Sequence, residues 1–324
     1  MIFMASITYQ VVQCVKEIDM IGQSKKSARQ KGIKGIHSYK TKEEVTKIGK
    51  QFARWVRERY NVKQLHQVTE EHYRAFMDSK AHTSLDYRRG IETHLRLLQE
   101  GLQRRSERFG KEISSFVPEK RLIASRGRLE GVRDRSYTES DLSAIRGVIT
   151  PKTARAMDLM LNLGLRVNES VQLRVEHIQG DYIVIQNDTI TKGGRDRVIP
   201  VPDGFKDDLM KMCEGKEPTE RLVPISAATV QMEFKDGCKR AGVVCKGTHG
   251  LRHTYARNRV NELMNKDEKQ LFSSCIERYA ENKRFDYGEH NKDLYKTMVE
   301  KMDKVHGELG HGKGRFDLAV RYMR

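Results

Sequence analysis

The chain has 324 residues, with 61 Lys and Arg against 44 Asp and Glu, a formal net charge of +17. That length suggests about two domains, and the cation surplus points to a polyanionic partner, nucleic acid first, while saying nothing about fold. No run of about 18 apolar residues argues for a membrane span, and "MIFMASITYQ" has no basic residue ahead of its short apolar patch, so no secretory leader is expected. The five cysteines (Cys14, Cys213, Cys238, Cys245, Cys275) form no Cys-x-x-Cys pair, which leaves neither a disulfide framework nor a zinc knuckle and suggests reduced thiols in the cytoplasm.

All six prolines lie beyond residue 117, so the first third can carry long helices. In "KTKEEVTKIGKQFARWVRERY", Val45, Ile48, Phe52, Val56 and Tyr60 recur by threes and fours as one apolar stripe, which Trp55 widens. "SLDYRRGIETHLRLLQEGLQRR" repeats the pattern through Leu85, Ile91, Leu95, Leu98 and Leu102, with arginines around them. Residues 1–135 hold 29 basic and 16 acidic side chains, net +13, which makes this region the expected electrostatic grip.

Residues 1–115 therefore read as a helical DNA-binding domain. Residues 116–135, with glycines, a proline, basic residues and no sustained period, read as a basic interdomain linker. Thr138 followed by Asp141 is a capping signal for a new helix, so a second domain is expected over 136–324. Within it, "DYIVIQNDTITKGGRDRVIPVP" has β-branched runs on both sides of a Lys192-Gly193-Gly194 turn, a β-hairpin in a largely helical domain.

"THGLRHTYARN" places His249, Arg252 and His253 on one helical face. Three uses compete: a metal held by the two histidines, a solvated surface, or a phosphate clamp. The metalloprotease form needs a glutamate after the first histidine, whereas Gly250 stands there, and Arg252 sets a fixed cation beside any metal. No metal is expected.

Further segments join this face in order: "LGLRVNESVQL" around Arg166, "TKGGRDRVIPV" around Lys192, and "ELGHGKGRFDLAVRYMR" with His311 and Tyr322. The ordered series Arg, Lys, His-x-x-Arg, His, Tyr resembles the tyrosine recombinase (phage integrase) family. The resemblance implies a mainly α fold with a small β-sheet or hairpin in the catalytic domain. Two domains, the first a SAM-like core-binding module, would form a C-shaped clamp on duplex DNA.

The implied reaction is transesterification, in which a tyrosine hydroxyl attacks a backbone phosphorus, leaves a 3′-phosphotyrosyl bond and frees a 5′-hydroxyl. The bond energy stays in the covalent link, so no cofactor is expected. Carried onto this chain, Arg166 and Arg252 clamp the nonbridging oxygens. Lys192 protonates the leaving 5′-oxygen, His249 helps take the proton from Tyr322, and His311 hydrogen-bonds the phosphate. Glu169 orients the surrounding shell, and His253 supports the neighbouring groups. Partners expected on this basis are double-stranded DNA, a homotetramer on two DNA sites and accessory DNA-bending proteins, in a cytoplasmic, nucleoid-associated setting.

Two spacings depart from the family's usual pattern. Arg252 and His311 are unusually far apart, and the extra stretch, at about 265–304, carries nine basic and nine acidic side chains, so it is expected to face solvent or another protomer rather than DNA. His311 to Tyr322 is also slightly long, with "GKGRFD" as the place of the added residues. These leave a second reading, a catalytically inactive DNA-binding transcriptional regulator on the recombinase fold. A third is a relaxing enzyme resembling type IB topoisomerases.

Overall fold

The computed structural model describes residues 6–127, 130–186, 196–283 and 291–323. The chain divides into two compact units, one ending at Arg126 and the other beginning at Gly127.

The first unit is helical: α1 (Ile7–Glu17), α2 (Lys25–Gln30), α3 (Tyr39–Tyr60), α4 (Glu70–Asp78) and α5 (Leu85–Arg108). Serines start the long members, since the Ser6, Ser38 and Ser84 hydroxyls accept from the backbone N–H groups of Tyr9, Thr41 and Tyr87. Val45, Ile48, Phe52 and Val56 of α3 are buried with Ile91, Leu95, Leu98 and Leu102 of α5. The expected stripes are too long at their ends. Tyr60 is 42% and Leu85 51% exposed, each at the terminal turn of its helix, where the neighbouring elements no longer cover it. Trp55 is half-buried against the same core and lies edge-on to Phe76.

The stretch expected to be a linker, 116–135, is divided by the structure. Phe116 and Ile123 are buried in the first core. The buried Glu92 carboxylate accepts from the backbone N–H groups of Leu122 at 2.8 Å and Ile123 at 3.1 Å. Backbone donors inside a protein need acceptors, and α5 supplies them to this segment. Composition signalled the missing helical period but not the two buried apolar anchors.

The second unit begins with α6 (Glu139–Arg146), opened by the reciprocal Thr138 and Asp141 capping box, then α7 (Pro151–Leu163) and the single turn α8 (Val167–Ser170). Strands β1 (Ile178–Gln179), β2 (Tyr182–Ile185) and β3 (Arg197–Pro200) form an antiparallel sheet in the order β1-β2-β3 among the described residues. Ile183 pairs with Ile199 and Ile185 with Arg197, so the hairpin is present. Its expected turn at Lys192 lies outside the described residues. Helices α9 (Asp203–Cys213) and α10 (Ala227–Arg240) complete the core around the sheet.

A further apolar cluster joins α11 (His249–Leu263), α12 (Lys266–Ala280), α13 (Lys292–Glu308) and α14 (Phe316–Tyr322). Here the expectation for residues 265–304 is corrected. Leu271, Phe272, Cys275 and Ile276 of α12 and Met298 and Met302 of α13 are buried with Val260 of α11 and Val320 of α14. Most of the described charged side chains of α12 and α13 lie on the outer faces of these two core helices, and one pair, Lys301 with the buried Glu268, closes between them at 2.7 Å. Net neutrality concealed an amphipathic period. Among the described residues, no helix is long and apolar enough to cross a membrane.

Candidate active site

Five elements of the second unit bring the candidate side chains together. Helix α7 ends at Gly164 in the left-handed region, φ 59°. A Cβ at that position would stand 2.5 Å from the Tyr255 ring, so only glycine fits both the turn and the close approach. The chain then reaches Arg166, which caps α8, and the Glu169 carboxylate accepts from the Arg166 backbone N–H and from its guanidinium, both at 2.7 Å.

Strand alternation supplies the residue that sequence reasoning missed. In β3, Arg197 and Ile199 face inward while Val198 is exposed. The Arg197 guanidinium meets Glu169 at 2.5 and 3.2 Å, with both side chains under 5% exposed. The available signal was a charged residue in the buried phase of a two-residue period. Burial raises the Glu169 pKa, but the hydrogen bonds and charge of Arg197, with Arg166, outweigh it and hold the carboxyl down at about 2. Gly310, φ 67°, lies so near that a Cβ there would be 2.7 Å from the Arg197 guanidinium.

Helix α11 carries the next three residues. Arg252 is only 1% exposed. Its guanidinium donates to the backbone carbonyls of Gly164 and Leu309 and lies 3.4 Å from Nε2 of His311. No carboxylate forms an ion pair with Arg252 among the described residues. Burial, then the like charges of Arg166 and Arg197, bring its pKa down to about 9, which still leaves it cationic at neutral pH. His249 Nε2 is 2.6 Å from the Tyr322 hydroxyl. His253 stacks on the Tyr322 ring, with centroids 4.4 Å apart and planes 16° from parallel, while His311 meets that ring edge-on at 5.0 Å.

All three histidines lose basicity. Burial, then the charges of Arg252, Arg135 and Arg166, brings His249 to about 4. Burial, then His249 and Arg135, does the same for His253. Burial, then Arg252, His306 and Arg166, takes His311 to about 2. Each is therefore neutral at pH 7 and offers one donor and one acceptor nitrogen.

The structure thus gathers Arg166, Glu169, His249, Arg252, His253, His311 and Tyr322, while Lys192 lies outside the described residues. Two further buried groups of α13 support the site, one by bracing α11 and the other by touching His311. The buried Glu308 accepts from the Tyr255 hydroxyl at 2.7 Å and pairs with Arg259 at 3.0 Å. His306, fully buried, touches His311. Neither was legible beforehand, because each acts through a partner remote in sequence. Among the described residues, no group of three or more His, Cys, Asp or Glu side chains is arranged to hold a metal.

An electropositive site built from two arginines, neutral histidines and a tyrosine defines a class. Residues 138–272, within the second unit, match the phage integrase family. The matched segment includes Arg166, Glu169, His249, Arg252 and His253 and ends before His311 and Tyr322. Among solved structures, the chain is similar to a lambda integrase dimer bound to a COC' core site, with 16% identity and a TM-score of 0.58 over 91% of this chain and 93% of that one. It is also similar to the XerH site-specific recombinase bound to difH substrate in a pre-cleavage complex, with 12% identity and a TM-score of 0.56 over 98% and 91% of the two chains. The Tn1549 transposon integrase in complex with circular intermediate DNA gives 13% identity and a TM-score of 0.55 over 97% and 95%. At these identities the likeness is one of fold. No curated protein matches the chain.

Proposed function

We propose that this chain is a site-specific recombinase or integrase of a mobile element that cuts and rejoins duplex DNA through a 3′-phosphotyrosyl bond to Tyr322. The observation that carries the reading is Arg252, a cation 1% exposed and without an acidic ion-pair partner among the described residues, set beside a tyrosine whose hydroxyl already meets an imidazole at 2.6 Å. An isolated buried charge is unfavourable. A phosphodiester, with two nonbridging oxygens, supplies the compensating anion, and guanidiniums bind such oxygens in pairs.

The proposed chemistry draws on this geometry and on the family resemblance. Neutral His249 accepts the Tyr322 proton at Nε2 as the phenolic oxygen forms its bond to phosphorus. The P–O5′ bond breaks and its electron pair leaves on the 5′-oxygen. That oxygen takes a proton, from Lys192 in the role that the family resemblance assigns. Arg166 and Arg252 meet the negative charge that grows on the nonbridging oxygens, while Glu169 holds Arg166 and Arg197 in place. The phosphotyrosyl link retains the energy of the broken bond, and a 5′-hydroxyl from a partner strand reverses the step. A lambda integrase tetramer bound to a Holliday junction shares the fold, at 17% identity and a TM-score of 0.57. A homotetramer acting on two duplex sites is our proposal for this chain by that likeness.

The test is covalent trapping on nicked duplexes drawn from DNA flanking the gene. Wild-type protein should accumulate a denaturation-resistant adduct, and Tyr322→Phe should bind the same DNA without one. Site-specific binding by both proteins with no adduct from either would assign the chain to the regulators instead.

A further inference from the structure

Arg252, Tyr255 and Arg259 follow one another on α11 by steps of three and four, so their side chains leave the same face of the helix. That face meets the end of α13, where Glu308 is the last helical residue and only 3% exposed. One buried carboxylate thus stands before two guanidiniums, and it is shared unevenly. Arg259 meets both oxygens, with Nε 3.0 Å from one and Nη2 3.1 Å from the other. The Tyr255 hydroxyl donates to the same group at 2.7 Å. Arg252, two turns back, donates from its two Nη atoms to main-chain carbonyls instead, those of Gly164 and Leu309.

Both carbonyls are tied to Glu308. Leu309 is its neighbour in the chain, so fixing the carboxylate fixes the peptide unit that follows. Gly164 is reached through Tyr255, whose ring lies so near that a Cβ on the glycine would be 2.5 Å from it, and Glu308 holds that ring by its hydroxyl. A guanidinium is planar, so two acceptors on its two Nη atoms define its plane. The two arginines differ accordingly in basicity. Burial works against Arg259, but its hydrogen bonds to Glu308 and Glu262 raise its pKa above the usual arginine value. Burial, then Arg166 and Arg197, lowers that of Arg252 to about 9.

We propose that Glu308 is a positioning residue: by gripping Tyr255 and Arg259 it fixes the two carbonyls that orient the Arg252 guanidinium, and leaves the charge of Arg252 for a phosphate. A carboxylate placed on Arg252 itself would orient it equally well but would neutralise it before DNA arrives. Carbonyls aim the cation without cancelling it, which is what a site built for charge that grows during reaction requires. The effect on cleavage rests on the phosphotyrosyl reading above; the orientation of Arg252 in DNA-free protein does not.

The experiment has two arms on the full chain. The variants are Glu308→Ala and Tyr255→Phe, the second of which keeps the ring on Gly164 and loses one hydroxyl. In the first arm, 15N NMR of arginine side chains in DNA-free protein follows Arg252, its signals assigned by their loss in Arg252→Lys. Wild type should show separate, slowly exchanging Nη signals, because both are bonded, and each variant should merge them. In the second arm, single-turnover trapping should find Tyr255→Phe slower by about tenfold, a modest misplacement of a reacting group, with DNA affinity unchanged. The same substitution on an Arg252→Ala background should cost nothing further, since the two act as one unit. An equal loss on both backgrounds would make the network a general support of the fold and overturns the proposal, as do unaltered Arg252 signals in Tyr255→Phe. Should Glu308→Ala fail to fold, Tyr255→Phe decides. A wild type that forms no adduct removes the recombinase reading and leaves the NMR arm to decide the role of Glu308.

Discussion

The two units handle charge in opposite ways. In the first, Glu92 is the only acidic or basic side chain among the buried described residues, and the described cations stay outside, as with Lys47 and Arg54 along one face of α3. In the second, Glu169, Arg197, Arg252, Glu268 and Glu308 are all buried, together with several histidines. Charges at the surface attract a polyanion over a distance set by salt. Charges inside are fixed in direction and screened little, which suits them to charge that appears only as bonds change. Under the function proposed above, one unit holds a polyanion and the other acts on it.

That contrast can be broken experimentally. The largest effect is expected at Glu169. Glu169→Gln strips the buried Arg197 of its carboxylate and should destabilise the second unit by about 3–5 kcal/mol, measured by chemical denaturation. The sign with pH follows from a native pKa of about 2 against an ordinary 4.5. The stabilisation is complete above pH 4.5 and is lost as pH falls toward 2, so the acid limb of stability over that window should flatten in the variant. The depressed histidines act earlier, because the unfolded chain binds their protons near 6.5 while the folded one waits until about 4. Stability should therefore already decline as pH falls from 6.5 to 4.

The next effect in size separates reaction from grip. Arg252→Ala should slow adduct formation by roughly 10²–10³-fold and change DNA affinity far less; equal losses in both would make Arg252 an anchor. The smallest effect is expected where charge is exposed. Replacing Lys47, Lys50 and Arg54 together by glutamine should weaken DNA binding several-fold at low salt and lower the salt slope by about 0.9 per lost phosphate contact, with the cleavage rate at saturating protein unchanged. A fall in that rate would mean that the two tasks are not separate.

How much of this was legible in the sequence depended on whether a residue acts locally. The α3 stripe, the Thr138 cap and the β2–β3 hairpin follow from short-range periods and turn chemistry, and all are present. The His-x-x-Arg face was readable because one helical turn aligns it. Arg197 was missed because its meaning depends on a carboxylate 28 positions earlier, and its strand phase could be known only once the sheet was seen. His306 and Glu308 were missed for the same reason. The stretch at 265–304 was misjudged because net charge averages over a helix, whereas burial depends on which side each residue occupies.

The packing of α12 and α13 bears on anyone who wishes to trim the molecule. Judged by length alone, the stretch invites deletion as an ornament on a smaller enzyme. Yet its leucine, phenylalanine and methionines form the wall against which α14, the helix that ends in Tyr322, is seated. Cutting it away would unmoor Tyr322, so a miniaturised version would need a replacement buttress before it could be shortened.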